Sequence, residues 1–216
     1  MSAQTETEAK FLVSAEDYTR LMSLCRVERT LDQVNAYFDS GLQLARFGAT
    51  CRIRFLPNAE PLFTLKLPRG TTSDGARRSL ELELPLSSAF ESASSRFPIR
   101  LSPTQLVSAI QTALYDLGIS ELNRIGRMRN LRRELRCEWG SFELDTFRLP
   151  DGRRMYEVEI EEANESVRAQ LVAFVRERAP TAEVSRLSKF QRFTQALGTK
   201  STQAAGPRLV EMLPPH

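Results

Sequence analysis

Ionisable residues at every second position carry the chemistry available to this chain. Glu6-Thr7-Glu8-Ala9-Lys10 puts two carboxylates and an ammonium in such a file. On a strand these three share one face, roughly 7 Å apart. Two acids and a base in one file are costly to place together unless something binds between them. A metal cation beside the carboxylates and an anion beside the lysine would satisfy all three. A solvated strand face is the ordinary alternative for five residues, but the same alternation returns along the chain. It appears at Arg52/Arg54, at Lys66, at Arg77/Ser79/Glu81/Glu83 and at Arg127/Arg129, then at Glu143/Asp145 and Glu157/Glu159/Glu161. Interleaved Lys and Arg favour phosphate oxygens, and Arg grips them in bidentate fashion. Clustered carboxylates favour Mg²⁺ or Mn²⁺ bound through oxygen. A divalent ion bridging the two sets polarises phosphorus and lowers the pKa of a bound water. Those parts suit transfer of a phosphoryl group to water from a short polyphosphate chain.

Other chemistries lack their parts. The only histidine is His216, the last residue, so a Ser-His-Asp or Cys-His centre and a histidine-ligated zinc have no support. Neither GxxxxGK[ST] nor GxGxxG occurs. The net charge is +3, from 30 Lys+Arg against 27 Asp+Glu, which argues against a nucleic-acid partner. The three cysteines, Cys25, Cys51 and Cys137, form no CxxC pair and are expected to be reduced thiols. A polar, acidic N-terminus without a signal-peptide pattern, and the lack of a bilayer-long apolar run, set the expectation of a cytoplasmic protein with no membrane partner.

The elements that must position the charged files follow from periodicity and punctuation. Glu6–Val13 reads as a first strand. Ser14, with an acid near the third helical position, predicts a helix to about Val27 that buries Leu21 and Leu24. Further strands are expected at Gln33–Asp39, Thr50–Leu56, Leu62–Leu67 and Arg77–Leu84, with Ser40-Gly41-Leu42 and Pro68-Arg69-Gly70 as turns. Residues 85–123 change character: Ser102-Pro103 opens a helix carrying Leu106, Ile110, Leu114 and Leu117, and Gly118 stops it. The basic run Arg124–Arg136 fits a strand or a helix by spacing alone. Its place before another alternating segment favours a strand, with Arg127, Arg129, Leu131 and Arg133 sharing a face. Ser141–Phe147 and Met155–Glu161 complete the strands around a Leu149-Pro150-Asp151-Gly152 turn. Asn164 caps a helix ending before Pro180, and a last helix spans about Leu187 to Leu197, stopped by Gly198.

Most of these strands pair an apolar face with a fully ionised one. About eight antiparallel strands suffice to close a barrel. Turning the ionised faces inward gives an α+β fold: an eight-stranded antiparallel closed β-barrel, or tunnel, with a charged lumen and helices flanking its apolar outside. Such a lumen is stable only where acids and bases interleave, or where ions and a polyanion occupy it. One domain is expected over residues 1–198, with a helical insertion at about 85–123 and a disordered tail at 199–216.

The same residues resemble the CYTH domain, or triphosphate tunnel metalloenzyme, family. Glu6-x-Glu8-x-Lys10 is similar to its ExExK signature. Tyr37-Phe38-Asp39, Arg52-x-Arg54, Lys66, Glu81-x-Glu83, the basic strand with Arg127 and Arg129, Asp145, Glu157-x-Glu159 and Ser188-Lys189-Phe190 extend the likeness over most of the chain. The resemblance implies an Mg²⁺- or Mn²⁺-dependent enzyme acting on a linear triphosphate. Its substrates would be inorganic triphosphate, thiamine triphosphate or nucleoside triphosphates, and some similar proteins cyclise ATP. It implies metal-binding or water-orienting roles for Glu6, Glu8, Asp145, Glu157 and Glu159, with Glu81 and Glu83 either serving a metal or holding the basic residues. It implies phosphate contacts from Lys10, Arg52, Arg54, Lys66, Arg127, Arg129 and, from the last helix, Lys189. Glu8, Lys10, Arg54 and Glu159 would be central to catalysis. Residues 85–123 would form a lid or a homodimer surface. A cyclase of the same fold and a non-catalytic polyphosphate-binding module are the alternatives to a triphosphatase.

Overall fold

A computed structural model describes residues 1–86, 100–101 and 106–201. The strands are β1 (Ser2–Leu12), β2 (Arg26–Asp39), β3 (Thr50–Phe55), β4 (Leu62–Thr71), β5 (Arg77–Pro85), β6 (Arg100–Leu101), β7 (Leu122–Cys137), β8 (Gly140–Arg148), β9 (Arg154–Glu161) and β10 (Glu183–Val184). The helices are α1 (Ala15–Leu24), α2 (Gln43–Arg46), α3 (Ser108–Asp116), α4 (Glu165–Arg178) and α5 (Lys189–Ser201). Eight strands pair antiparallel in the order β1-β5-β4-β3-β2-β7-β8-β9, and β9 returns to β1 to close the ring. Closure is uneven. Residues Ser2 to Glu8 of β1 pair with β5, whereas Glu8 to Leu12 pair with β9. β10 extends the β5 side of β1 at Phe11 and Leu12, and β6 pairs with β7.

Alternation becomes architecture because the outward side chains are the apolar ones. Phe11, Leu135, Phe142, Leu144, Val158 and Ile160 form one cluster with Leu21 of α1 and Leu171 and Val175 of α4. Cys51, Ile53, Phe63, Leu65 and Leu82 join a second cluster with Ile110 and Leu114 of α3. Each fully buried Leu, Ile or Phe contributes about 1.5–3 kcal/mol relative to an exposed one. These two clusters form the jacket around the ring.

Local signals hold the helices. The Ser14 hydroxyl accepts from the Asp17 N–H, and the Asn164 side chain accepts from the Ser166 and Val167 N–H groups, as the spacing predicts. Four elements differ from expectation. α1 stops at Leu24, short of Val27, and leaves Leu24 exposed. β2 begins at Arg26 and β4 runs on through Pro68 to Thr71, because partner strands continue the ladders past the expected turns. Gly198 lies inside α5 instead of ending it. The short α2 has too few residues to show a period; Asp39 builds it by accepting from the Leu44 and Ala45 N–H groups. The expected helix start at Ser102-Pro103, the segment at Ser87–Phe97 and the tail beyond 201 lie outside the described residues.

α5 crosses the barrel end at one close approach. Tyr37 opposes Gly126, next to a register shift in the β2–β7 ladder. A Cβ on Gly126 would lie 2.4 Å from the Phe193 ring. Glycine therefore lets Phe193 settle on β7, while Phe190 and Phe193 both pack on Tyr37, with ring centroids 5.1 and 5.3 Å apart. This seat fixes Lys189, the first residue of α5, at the lumen.

Candidate active site

The ring encloses a cavity of about 290 Å³. Glu6, Glu8 and Lys10 of β1 line it, with Arg52 and Arg54 of β3 and Lys66 of β4. Glu81 and Glu83 of β5, Glu159 of β9 and Lys189 of α5 complete the wall. Asp145 and Glu157 lie behind it, both fully buried. Twelve of the residues singled out by spacing and resemblance therefore converge.

Arg127 and Arg129 do not. Arg129 is exposed and forks onto Asp32, and the Arg127 guanidinium stacks over Phe55, 5.5 Å from the ring centre. Both point away from the cavity, because beyond the register shift the odd-numbered positions of β7, from Arg127 onward, face outward. The even-numbered Asn130 and Arg132 supply the lumen instead. The signal was present: within Arg124–Arg136 the odd file holds Ile125, Leu131 and Leu135, and the even file only Met128 among apolar residues of that size. In a barrel with its apolar faces outward, that count sends the odd file outside. Gln33 and Asn35 of β2, each 2% exposed, also line the cavity. They were missed because neutral amides do not stand out in a search for charge.

Two carboxylate triads sit side by side. In one, Glu6, Glu8 and Glu161 each offer an oxygen within 4.8 Å of the others; in the second, Glu143, Asp145 and Glu159 do. Register explains both. Glu8 opposes Glu161 across β1–β9, and Glu143 opposes Glu159 across β8–β9.

Their neutralisation differs. Arg132 ion-pairs with all three acids of the second triad, at 2.7 Å to Asp145. Lys189 adds contacts to Asp145 at 2.8 Å and to Glu157 and Glu159 at 2.5 Å. Asn130 donates to Asp145 at 3.0 Å. Burial pushes Asp145 and Glu159 upward, but Arg132 and Lys189, joined by Lys10 at Glu159, hold both below the usual carboxylate range. Glu143 goes the other way, raised by burial and by its acidic neighbours against the pull of Arg132.

The first triad has less cation. Lys66 pairs with Glu6 and lies 3.5 Å from Glu8, while Lys10 is 3.4 Å from Glu8 and 2.6 Å from Glu159. Burial, then a hydrogen bond with Glu81, pushes Glu6 up to about 8 against the pull of Lys66. Its partner Glu81 is pulled down to about 2: burial opposes the shift, but the Glu6 hydrogen bond, Arg52 and Lys66 outweigh it. One proton thus bridges the pair near neutral pH. The buried Oε2 of Glu8 has no hydrogen-bond partner. Three converging carboxylate oxygens, one lacking a hydrogen bond and a neighbour held protonated by crowding, fit a hard divalent cation.

On the facing wall, Arg52 reaches Glu81 at 3.4 Å, and the buried Nε of both Arg52 and Arg54 lack hydrogen-bond partners. Donors left open beside a carboxylate cluster suit an anion carrying several oxygens.

A CYTH domain model matches residues 4–194. The chain belongs to the CYTH domain family. Among solved structures, it is similar to a Bacillus halodurans protein described as a candidate adenylate cyclase. That match has 30% identity and a TM-score of 0.70, over 89% of this chain and 99% of that one. It is also similar to HpAC1 from Hippeastrum, a candidate adenylyl cyclase described as having a dominant triphosphatase activity. Here identity is 25% and the TM-score 0.68, over 88% of this chain and 95% of that one. A Pyrococcus horikoshii protein, at 13% identity and a TM-score of 0.55, shares the fold alone. A search of curated proteins gives no match. Membership of this family makes triphosphatase or cyclase activity plausible chemistry for the lumen, and its acidic clusters are able to bind a metal. No helix among the described residues is long and apolar enough to cross a membrane.

Proposed function

We propose that this CYTH protein is an Mg²⁺- or Mn²⁺-dependent triphosphatase that removes the terminal phosphate of inorganic triphosphate or a related compound inside its barrel. The observation that carries this reading is the under-neutralised Glu6/Glu8/Glu161 triad, set across one cavity from Arg52 and Arg54 with open guanidinium donors. The cavity lies near the lower end of the roughly 300–1,000 Å³ usual for small-molecule sites, which favours a compact inorganic chain.

Glu6, Glu8 and Glu161 would hold the cation, which when bound polarises phosphorus and activates water. Arg52 and Arg54 donate to phosphate oxygens, and their planar forks fix the chain's orientation. Lys10 and Lys66 stand between the carboxylates and that wall. Burial works against their charge, but Glu159 and Glu8 raise Lys10, and Glu8 and Glu6 raise Lys66, so both ammoniums persist to oppose phosphate charge. Lys189 supplies a further cation at the α5 end. Burial of Glu8, Glu81 and Glu159 in the wall lowers the local dielectric and strengthens each of these interactions. The three free cysteines are in keeping with a cytoplasmic setting.

The second reading is a cyclase, favoured by the description of the Bacillus halodurans structure. Purified protein separates the two. Phosphate release from inorganic triphosphate, thiamine triphosphate and ATP is measured with Mg²⁺ and with Mn²⁺, alongside cyclic AMP formation. Phosphate release fastest from inorganic triphosphate is expected. Cyclic AMP with little phosphate would establish the cyclase, and tight polyphosphate binding without turnover would leave a binding module.

A further inference from the structure

Arg168 is a buried charge with no part in the lumen. It lies in α4, is 2% exposed, and is the largest fully buried side chain among the described residues. Burying a guanidinium is tolerated only where its donors are met. Here Nε and Nη2 each reach Asp74 Oδ2 at 2.9 Å, and Nη1 donates to the carbonyls of Glu162 at 2.5 Å and Ala163 at 3.4 Å. One side chain thereby ties the β4–β5 turn to the backbone just after β9.

Both tied segments lead directly to the first triad. Glu162 follows Glu161, and its N–H donates to the Thr7 carbonyl at 3.2 Å, between Glu6 and Glu8. Asp74 precedes Arg77, which opposes Glu8 across β1–β5. β1 leaves its β9 partner beyond Glu8, so the ring at this point is not held by a continuous ladder. The Arg168–Asp74 pair spans the gap from outside the barrel. We propose that Arg168 and Asp74 are positioning residues, which set the spacing of Glu6, Glu8 and Glu161 and so tune divalent-cation affinity. This rests on the metal-binding reading of that triad.

The two oxygens of Asp74 divide the work. Oδ1 accepts from the Thr72 hydroxyl and the Ala76 N–H within the turn, and Oδ2 faces Arg168. Asp74→Asn therefore keeps the turn's acceptor and replaces the oxygen that Arg168 needs. Mn²⁺ binding to the whole chain is measured directly, by the electron paramagnetic resonance signal of free Mn²⁺, with thermal melting followed in parallel. Loss of a group bonded directly to a metal ligand costs on the order of 10–100-fold in affinity, and Arg168 and Asp74 act one step further out, through the backbone, so the low end applies. Asp74→Asn is expected to weaken Mn²⁺ about tenfold, with kcat at saturating Mn²⁺ within about twofold of wild type. Arg168→Lys keeps the charge, loses the fork and is expected to fall between. Binding by both variants within about twofold of wild type, in folded protein, would overturn the proposal. A wild-type chain that takes up no Mn²⁺ would instead overturn the metal reading beneath it.

Discussion

The two triads have the same number of carboxylates and each gathers its oxygens within 4.8 Å, yet one is sealed and the other more open. Around Glu143, Asp145 and Glu159 the protein supplies its own cations, Arg132 and Lys189, at contact distance. Around Glu6, Glu8 and Glu161 it supplies mainly Lys66 and holds a proton on Glu6. A hard cation must displace a guanidinium and an ammonium at contact distance in the first case, and in the second a proton and two ammoniums, those of Lys10 and Lys66, which stand 3.4 and 3.5 Å from Glu8. Acid count alone therefore does not define a metal site; the cations already in place decide. Glu143 Oε2 and Glu8 Oε2 both lack a hydrogen bond, but Arg132 sits in contact with the first, whereas the ammoniums of Lys10 and Lys66 stand off the second at 3.4 and 3.5 Å.

The contrast breaks first at Glu8. Glu8→Gln is expected to lower metal affinity by about 100-fold or more and to abolish metal-dependent phosphate release, while thermal melting stays cooperative. Unchanged rates in the same assay would remove Glu8 from the site.

Lys189→Met tests the seal. Removing one member of a buried ion cluster costs about 3–5 kcal/mol, because Asp145, Glu157 and Glu159 then face each other with less compensation. Urea unfolding at neutral pH reads that loss. Unsealing should also let the second triad take Mn²⁺, so binding stoichiometry should rise above wild type. A stable variant with unchanged stoichiometry would show that Lys189 does not guard the triad.

pH acts on the more open triad through Glu6. In the metal-free fold Glu6 keeps its proton up to about 8, whereas the unfolded chain loses it near the ordinary glutamate value of 4.5. The folded state thus binds more protons between these values, so this group's contribution to stability falls as pH rises through that window. Divalent cation displaces the proton and should remove the slope in melting temperature. Apparent Mn²⁺ affinity should strengthen by roughly tenfold per pH unit as pH rises toward about 8 and then level off. An affinity flat from about pH 6 to 9 would take Glu6 out of the cation site.

The smallest effect is expected on the outside of β7. Arg129→Ala removes an exposed pair with Asp32, worth about 0–1 kcal/mol, and should leave turnover unchanged. A marked loss of phosphate release would return Arg129 to the substrate path, against its outward geometry.

Much of this was legible in residue order. Glu6-x-Glu8-x-Lys10, Arg52-x-Arg54 and Glu157-x-Glu159 have one strand period and one physical reading, and Ser14 and Asn164 announce their helices through local hydrogen bonds. The basic run at 124–136 shows where legibility stopped. Its strand character could be inferred from context, but its facing could not be taken from charge, so Arg127 and Arg129 were expected inside and Arg132 was passed over. Glu161 was visible as a member of a file, but not as the third carboxylate beside Glu6 and Glu8.

Residue order alone sets the alternation, and with it a barrel whose charges face one way and whose apolar side chains face the other. Tertiary structure decided which charges meet. A period of two gives a strand two faces without saying which is inward, and that is settled only when the ring closes and a jacket of helices covers one side. Cross-strand register then sets Glu8 against Glu161 and Glu143 against Glu159, and α5 carries Lys189 to one triad only. Electrostatic energy depends on separations of a few ångströms between residues up to about 150 positions apart in sequence, distances that only the closed fold defines.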